Sequence, residues 1–454
     1  MKKVLLPFFL VFFTQLQAQT WHVFEPDLPD TVGMWHIDAV DDNVAWACAI
    51  KWTVSENGYG LPGHDKGYYL KTADGGQTWS AGLVPLGAFP FFSNICGLDA
   101  QTAWASGLDR STNESFVQHT SDGGQTWERK LENGFKDAAS YVNFVHFWDE
   151  QHGLAMGDPI SEDEGTDPFF EIYRTEDGGE NWQRVARDSF LPTSTLPGEF
   201  GIAGYYQVVG NSVWFSTTKG NLYYSANRGQ SWLGLQATPN MDRISFADSL
   251  FGVLSAPADG DLKITEDGGL TWTSIPAPPQ PGYIVSLVAI PESHYLLAVL
   301  LGNPVNGPYA TVISRDLGAT WQVLDETQNA CVAAFASPTA GYAGEWQPAG
   351  RATRMYSYNG DPLSGILSGK ALEADISLSP NPASDMVRVS VETPQPADFL
   401  LLVHDANGRL MKRQVIQKAD SWNVTLDVRS LPKGLYTLTI STKEGMLSRQ
   451  LVKQ

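Results

Sequence analysis

Thr120-Ser-Asp-Gly-Gly-Gln-Thr-Trp127 is the stretch that decides the fold, because the chain keeps returning to it. Close copies stand at Thr72–Trp79, Thr175–Trp182 and Thr265–Trp272, and looser ones at Ser225–Trp232 and Ser314–Trp321. Their third positions are Asp74, Asp122, Asp177, Asn227, Asp267 and Asp316, separated by 48, 55, 50, 40 and 49 residues. Self-similarity at this spacing belongs to a propeller, a solenoid or an array of supersecondary units.

Each copy follows a short β-like run, such as Tyr68–Thr72 or Glu171–Thr175. The Asp accepts backbone N–H groups just ahead of it, and the glycines supply positive φ. Asp-Gly between two β-runs signals a hairpin. The closing Trp79, Trp127, Trp182, Trp232, Trp272 and Trp321 each open the next strand and are placed to pack back over the turn. The period leaves room for four strands per unit, as a propeller blade requires.

The pattern S/T-x-D-x-G-x-T/S-W resembles the Asp-box, or BNR repeat, of sialidases, sortilin-type receptors, xyloglucanases and propellers like the photosystem II assembly factors. The resemblance implies an all-β propeller with each box in the turn between the third and fourth strands of a blade, away from the ligand face. It therefore implies structural roles for the six box positions and their tryptophans. Asn227 in the fourth box and Leu317 in the sixth depart from the pattern, which suits a turn more easily than a catalytic site.

A second signature recurs at Leu98–Ala105, Trp148–Ala155 and Phe246–Val253, with a longer copy at Ile37–Ala47. It reads as strand, polar turn, strand, and marks the step from first to second strand. With Gly157-Asp-Pro159 it is close to the assembly-factor-like pattern. Gln19–Phe24 matches the end of a unit without its beginning, and Ala330–Asn359 a unit that stops before its fourth strand. The two complement each other, so the N-terminal strand is expected to complete the last blade and remove an exposed edge. The expected units are Gly33–Leu83, Phe91–Leu131, Ser140–Asp188, Phe200–Thr238, Asp242–Pro276, Tyr283–Asp325, and Ala330–Gly360 with Trp21–Pro26. This makes a seven-bladed propeller; a six-bladed ring with a decorated edge is the alternative.

Residues 1–18 read as a secretory signal peptide, with Lys2 and Lys3, an apolar Leu5–Phe13 and cleavage between Ala18 and Gln19. The apolar run is too short for a membrane span, and no transmembrane segment follows. Cys48, Cys96 and Cys331 are too few for a disulfide framework and are expected as buried thiols.

After Gly360, residues 361–375 read as a linker, and 376–454 carry seven short alternating runs, as in a small Ig-like β-sandwich. Pro380-Asn-Pro-Ala383, Asp405-Ala-Asn-Gly408, Leu426–Tyr436 and the closing Leu451-Val-Lys453 resemble the C-terminal sorting domain of the type IX secretion system of Bacteroidetes. The resemblance implies export across the inner membrane, then delivery to the outer surface or medium, with the secretion machinery as partner of residues 376–454. It leaves 19–360 as the working propeller.

Charge follows the same division. Residues 376–454 hold ten Lys/Arg and seven Asp/Glu, and residues 19–375 hold 18 and 43. A surface this acidic repels nucleic acid and anionic membranes.

The long expected loops are Lys51–Lys66, Gly157–Phe170, Ser189–Ala203 and Leu301–Pro308. Asp158, Glu162, Asp163, Glu164 and Asp167 form an oxygen-rich stretch of the kind that holds Ca²⁺, without the spacing of an EF-hand; a solvated acidic loop is the plainer reading. No other cofactor is implied. A sialidase needs an arginine cluster and an Arg-Ile-Pro signature that the chain lacks. A glycosidase needs two carboxylates about a sugar cleft, for which Asp158 and Glu199 are the candidates, beside Trp52 and Tyr59. His146 and His152 form no metal pair. The reading is thus an exported propeller that binds an extracellular protein or glycan, with a secreted glycan-active hydrolase as the alternative.

Overall fold

The computed structural model describes residues 20–29, 32–54, 60–85, 90–131, 134–135, 140–161, 167–192, 194–235, 243–256, 261–303, 307–345, 352–363, 375–404, 410–441 and 446–454. The proposed signal, most of the proposed linker, and Tyr59, Glu162, Asp163 and Glu164 lie outside the described residues. Apart from one short 3-10 turn at Arg187–Ser189, every described element is a β-strand.

Among the described residues, the propeller region holds seven sheets, six of them of four strands in antiparallel succession. Their innermost strands are Val32–Ala39, Pro90–Gly97, Val142–Phe147, Gly201–Val209, Arg243–Phe246, Tyr283–Ala289 and Ala330–Phe335. Each lies beside the innermost strand of the next sheet, and Ala330–Phe335 returns to Val32–Ala39, so the sheets close into a ring. The last sheet takes its fourth strand from Trp21–Phe24, which pairs antiparallel with Met355–Tyr358. Trp21 is buried there, edge-on to Phe335 and Tyr358.

The six boxes share one hydrogen-bond pattern. At the fifth, the Thr265 hydroxyl donates to Asp267 Oδ1 (2.9 Å) and accepts from the Asp267 and Gly269 N–H groups (3.3 and 2.9 Å). Asp267 Oδ1 also accepts the Thr271 N–H (2.8 Å), and Oδ2 the Thr271 hydroxyl (2.6 Å). Asn181 replaces that last hydroxyl with its amide in the third box. In the fourth box the polarity of this bond reverses, as Asn227 Nδ2 donates to Ser231 Oγ (3.0 Å). The Thr126 hydroxyl and backbone N–H lower the Asp122 pKa to about 2. Trp182, Trp232 and Trp272 each donate their indole N–H back to the second glycine position of their own box.

The second signature is the platform for the first. Asp41, Asp99, Asp149 and Asp248 each accept two backbone N–H groups through Oδ1, closing the turn from first to second strand. Within each sheet that turn then accepts an N–H from the box. Gly75 donates to Asn43 O, Gly123 to Gln101 O, Gly178 to Gln151 O and Gly268 to Leu250 O, at 2.8–2.9 Å. Gly75 is at φ +72°, a conformation that glycine adopts freely.

All four stretches read as loops are partly strand. Ala45–Val54 pairs with Gly60–Thr72 through the Lys51–Lys66 stretch. Gly153–Ile160 and Leu296–Asn303 likewise extend into the second and fourth expected loops. Within the third, Phe190–Leu191 runs parallel to Trp232–Leu235, giving that sheet a fifth, outermost strand. Propensity does not forecast these additions, since they follow from available sheet edges rather than from local patterning.

In the C-terminal region the seven expected runs become five strands. Met386–His404 and Leu410–Asp427 are long partners whose register shifts around Ala397. The first half of Met386–His404 also pairs with Asp375–Ser379, and the second half with Gly434–Ser441. Both halves bury alternate residues, Val387, Val389 and Val391 and then Leu401 and Val403, in one core with Trp422, Leu438 and Leu451. The Pro380-Asn-Pro-Ala motif clamps the end of the chain: Asn381 accepts the Val452 N–H and donates to Gln450 O, and Ala383 donates to Val452 O.

Two consequences are measurable by urea unfolding of the chain. Trp21→Ala removes the anchor of the closing strand and is expected to cost about 3–5 kcal/mol, the range for a buried Trp. Thr265→Val keeps the shape but leaves the buried Gly269 N–H without its acceptor. It is expected to cost about 1–3 kcal/mol, with Thr265→Ser largely sparing the protein.

Candidate functional site

The inner rim of a propeller blade is a sheet edge, and its backbone groups need partners. Here they find them in side chains of the preceding sheet. Asp38 Oδ2 accepts the Gly97 N–H (2.7 Å), and Cys96 Sγ accepts the Phe147 N–H (3.4 Å). Asn94 accepts the Val145 N–H and donates to the Val145 carbonyl (2.9 and 2.8 Å). Ser245 Oγ accepts the Ala289 N–H, and Ser286 Oγ the Ala333 N–H.

In five sheets the innermost ladder also slips by one residue, at Trp35, Ser93, Asn143, Val285 and Cys331. Such bulges re-aim a side chain. Trp35 donates to Ser93 O, Ser93 to Val142 O, and Cys331 to Met34 O, each across a junction between sheets.

The fourth sheet departs from this plan. Its innermost strand loses register between Gly201 and Tyr206 and crosses toward the far side of the ring. Tyr206 stacks on Phe144 at 4.2 Å, lies parallel to His36 at 6.1 Å, and bonds to Asn94 Nδ2. Gly204, at φ +77°, lets the strand pass: a Cβ there would sit 2.9 Å from Ser93 O. The segment walls off part of the central channel.

What remains is a cavity of about 860 Å³, bounded by this segment and the innermost strands of sheets one, five, six and seven. That is the size range of small-ligand sites. Its polar lining includes His36, Asp38, His146, Gln207 and Arg243. Burial lowers His36 to a pKa of about 4 and His146 to about 3, so both rings are neutral at pH 7. Burial raises Asp38 to about 6 against the lowering pull of the Gly97 N–H and the Cys96 thiol. The same burial, with Asp38 beside it, pushes the Cys96 thiol well above its ordinary range, so it is no ready nucleophile. The three cysteines are free and buried.

The carboxylates singled out in the sequence lie elsewhere. Asp158 is the bulge residue of its strand, where Oδ1 accepts Asn143 Nδ2 (2.8 Å) and the Gly201 N–H (2.9 Å). Glu199 is buried and accepts the Leu196 N–H, the Thr217 hydroxyl and Asn221 Nδ2 at 2.7–2.9 Å. These bonds tie both groups to the segment that leads into the fourth sheet. Of the acidic stretch, Asp158 and Asp167 are described, and the Asp167 carbonyl accepts from Arg187. Among the described residues no three His, Cys, Asp or Glu side chains meet in a metal-holding group. The cavity residues His36, Asp38 and Arg243 carried no sequence signal beyond their place near the inner strands.

Comparisons with known proteins bear on two parts of the chain. Residues 377–454 match the secretion system C-terminal sorting domain family. Such a tail indicates export to the cell surface or extracellular space. No curated protein sequence matches. Among solved structures, YCF48 bound to D1 peptide is 18% identical with a TM-score of 0.53, over 76% of this chain and 99% of that one. YCF48 from Cyanidioschyzon merolae is 16% identical with a TM-score of 0.50, over 75% and 98%. PorZ, a surface component of the type IX secretion system of Porphyromonas gingivalis, is 12% identical with a TM-score of 0.44, over 91% and 58%. The YCF48 likenesses establish the β-propeller fold. Among the described residues no helix is long and apolar enough to cross a membrane, which leaves β-barrels unaddressed.

The Asp158 carboxyl makes a pH prediction. Burial raises its pKa from 3.8 to about 6 in the folded chain. Above pH 6 both states are ionised and the folded one bears the full desolvation cost; that cost fades as pH falls from 6 and is gone below 3.8. Asp158→Asn keeps the Oδ1 acceptor without the charge. It is expected to stabilise the chain at pH 8 by up to about 3 kcal/mol, with the gain vanishing at pH 4, as read from urea midpoints at the two pH values.

Proposed function

We propose that this chain is an exported binding module, carried through the type IX secretion system by residues 376–454 and then holding an extracellular protein or glycan on its propeller. The observation that carries this reading is the contrast inside the ring. A cavity of about 860 Å³ stands open to a ligand, whereas Asp158 and Glu199 are engaged by scaffold donors. Hydrolysis of a glycoside needs one carboxyl free to donate a proton and another free to attack or activate water. Binding needs only the pocket and the rigid ring around it. That a propeller of this fold is described with a bound peptide supports a binding role without identifying the partner here.

The test has two readouts in the source cell and on the purified exported chain. Truncation after Gly360 is expected to leave the propeller inside the outer membrane, while the full chain reaches the surface or medium. A glycan array and surface cross-linking are expected to give capture without product. Release of a sugar product, abolished by Asp158→Asn or Glu199→Gln, would overturn the binding reading in favour of a hydrolase.

A further inference from the structure

The side chains that hold the inner strand edges are not equivalent. Asn94, Cys96, Ser245 and Ser286 do so as neutral groups, and Asp38 is a carboxylate. One N–H needs one acceptor, and a neutral acceptor costs far less to desolvate than an ion. The charge on Asp38 is therefore more than the junction requires. Oδ2 takes the Gly97 N–H, the Cys96 thiol bonds to the same carboxyl, and the side chain lines the cavity.

Arg243 lines the same cavity from sheet five, three sheets away around the shorter arc of the ring. Its guanidinium lies 5.3 Å over the Tyr205 ring, and one terminal nitrogen donates to the Tyr205 hydroxyl and to the Val285 carbonyl (2.7 Å). Its Nε is buried with no hydrogen-bond partner. Among the described residues no carboxylate forms an ion pair with it. His36 Nδ1 is a second buried, unpartnered atom in the lining. Buried polar groups left open in this way call for a partner from outside the fold.

We propose that the cavity binds a small zwitterion of free amino-acid or dipeptide size, with its ammonium on Asp38 and its carboxylate on Arg243. An ammonium offers N–H donors and an opposite charge to the Asp38 carboxylate, and a carboxylate matches the guanidinium donors. The pairing brings no net charge into a low-dielectric space, which an isolated ion would do at high cost. The inference rests on reading the cavity as the ligand site.

The probe is the dipeptide Ala-Phe, titrated calorimetrically into the full exported chain beside its N-acetyl and C-amide forms. Binding of Ala-Phe is expected, weakened at least tenfold by either cap. Asp38→Asn retains an acceptor for Gly97 and should erase the penalty of the acetyl cap. Arg243→Gln should erase that of the amide. Asp38→Ser, which copies the Ser245 arrangement, serves as the second variant should Asn disturb the junction, with thermal melts reporting folding. Equal affinity for capped and free forms, indifference to both substitutions, or no binding of Ala-Phe overturns the zwitterion. A glycan that binds and is not displaced by Ala-Phe also overturns it, yet leaves the binding-module reading standing. Turnover of that glycan overturns both.

Discussion

The free edge at the hub of the ring is the constraint on which the rest of the propeller depends. A sheet ends where its innermost strand faces the axis, and the N–H and C=O groups there cannot be left dry and unpaired. The chain answers with side chains reaching from one sheet to the backbone of the next. Asn94 holds both the N–H and the carbonyl of Val145, and Ser286 does the same for Ala333. One-residue bulges turn Trp35, Ser93 and Cys331 sideways toward the neighbouring sheet. The ring is thus held at its hub by polar bonds, while the cores between sheets are apolar, as where Trp104 stacks on Phe147 at 3.7 Å.

At the periphery a different device serves the same end. Each box closes its own turn through one Ser or Thr and one Asp or Asn, and the first five then hand a backbone N–H to the turn beside them. The bonds within a box span two to four residues, so they are local to it. The carboxylates accept several donors at once, which is why Asp122 is held near 2 despite its exposure. These turns organise the outer strands, and the hub bonds join the sheets to one another.

That difference explains what the sequence reveals. The boxes, their tryptophans and the strand-turn-strand signature are local chemistry repeated at a fixed period, and their turn positions can be read directly. The pairing of Trp21–Phe24 with Met355–Tyr358 is legible too, because two incomplete units complement each other. The plug across the channel is not. Tyr206 meets Phe144, His36 and Asn94, residues far apart in the chain, and no periodicity links them. The merged strands of the sorting region escaped for a related reason. Around Ala397 the register slips while pairing resumes on either side, so polar residues that read as a break lie within one long strand.

Asp158 and Glu199 show why charge alone is a poor guide to a site. Both are acidic residues in stretches read as loops, and both prove to be well supplied with donors from the scaffold. Asp38 sits within an inner strand, where a carboxylate has no obvious reason to be. Its neighbours in role perform the same junction bond as a thiol, an amide or a hydroxyl. A residue that does a neutral group's work while carrying a charge into a buried lining is costly to the fold. Such a cost points to something in the cavity that the fold by itself does not supply, and Arg243 facing the same space with an unpartnered Nε points the same way.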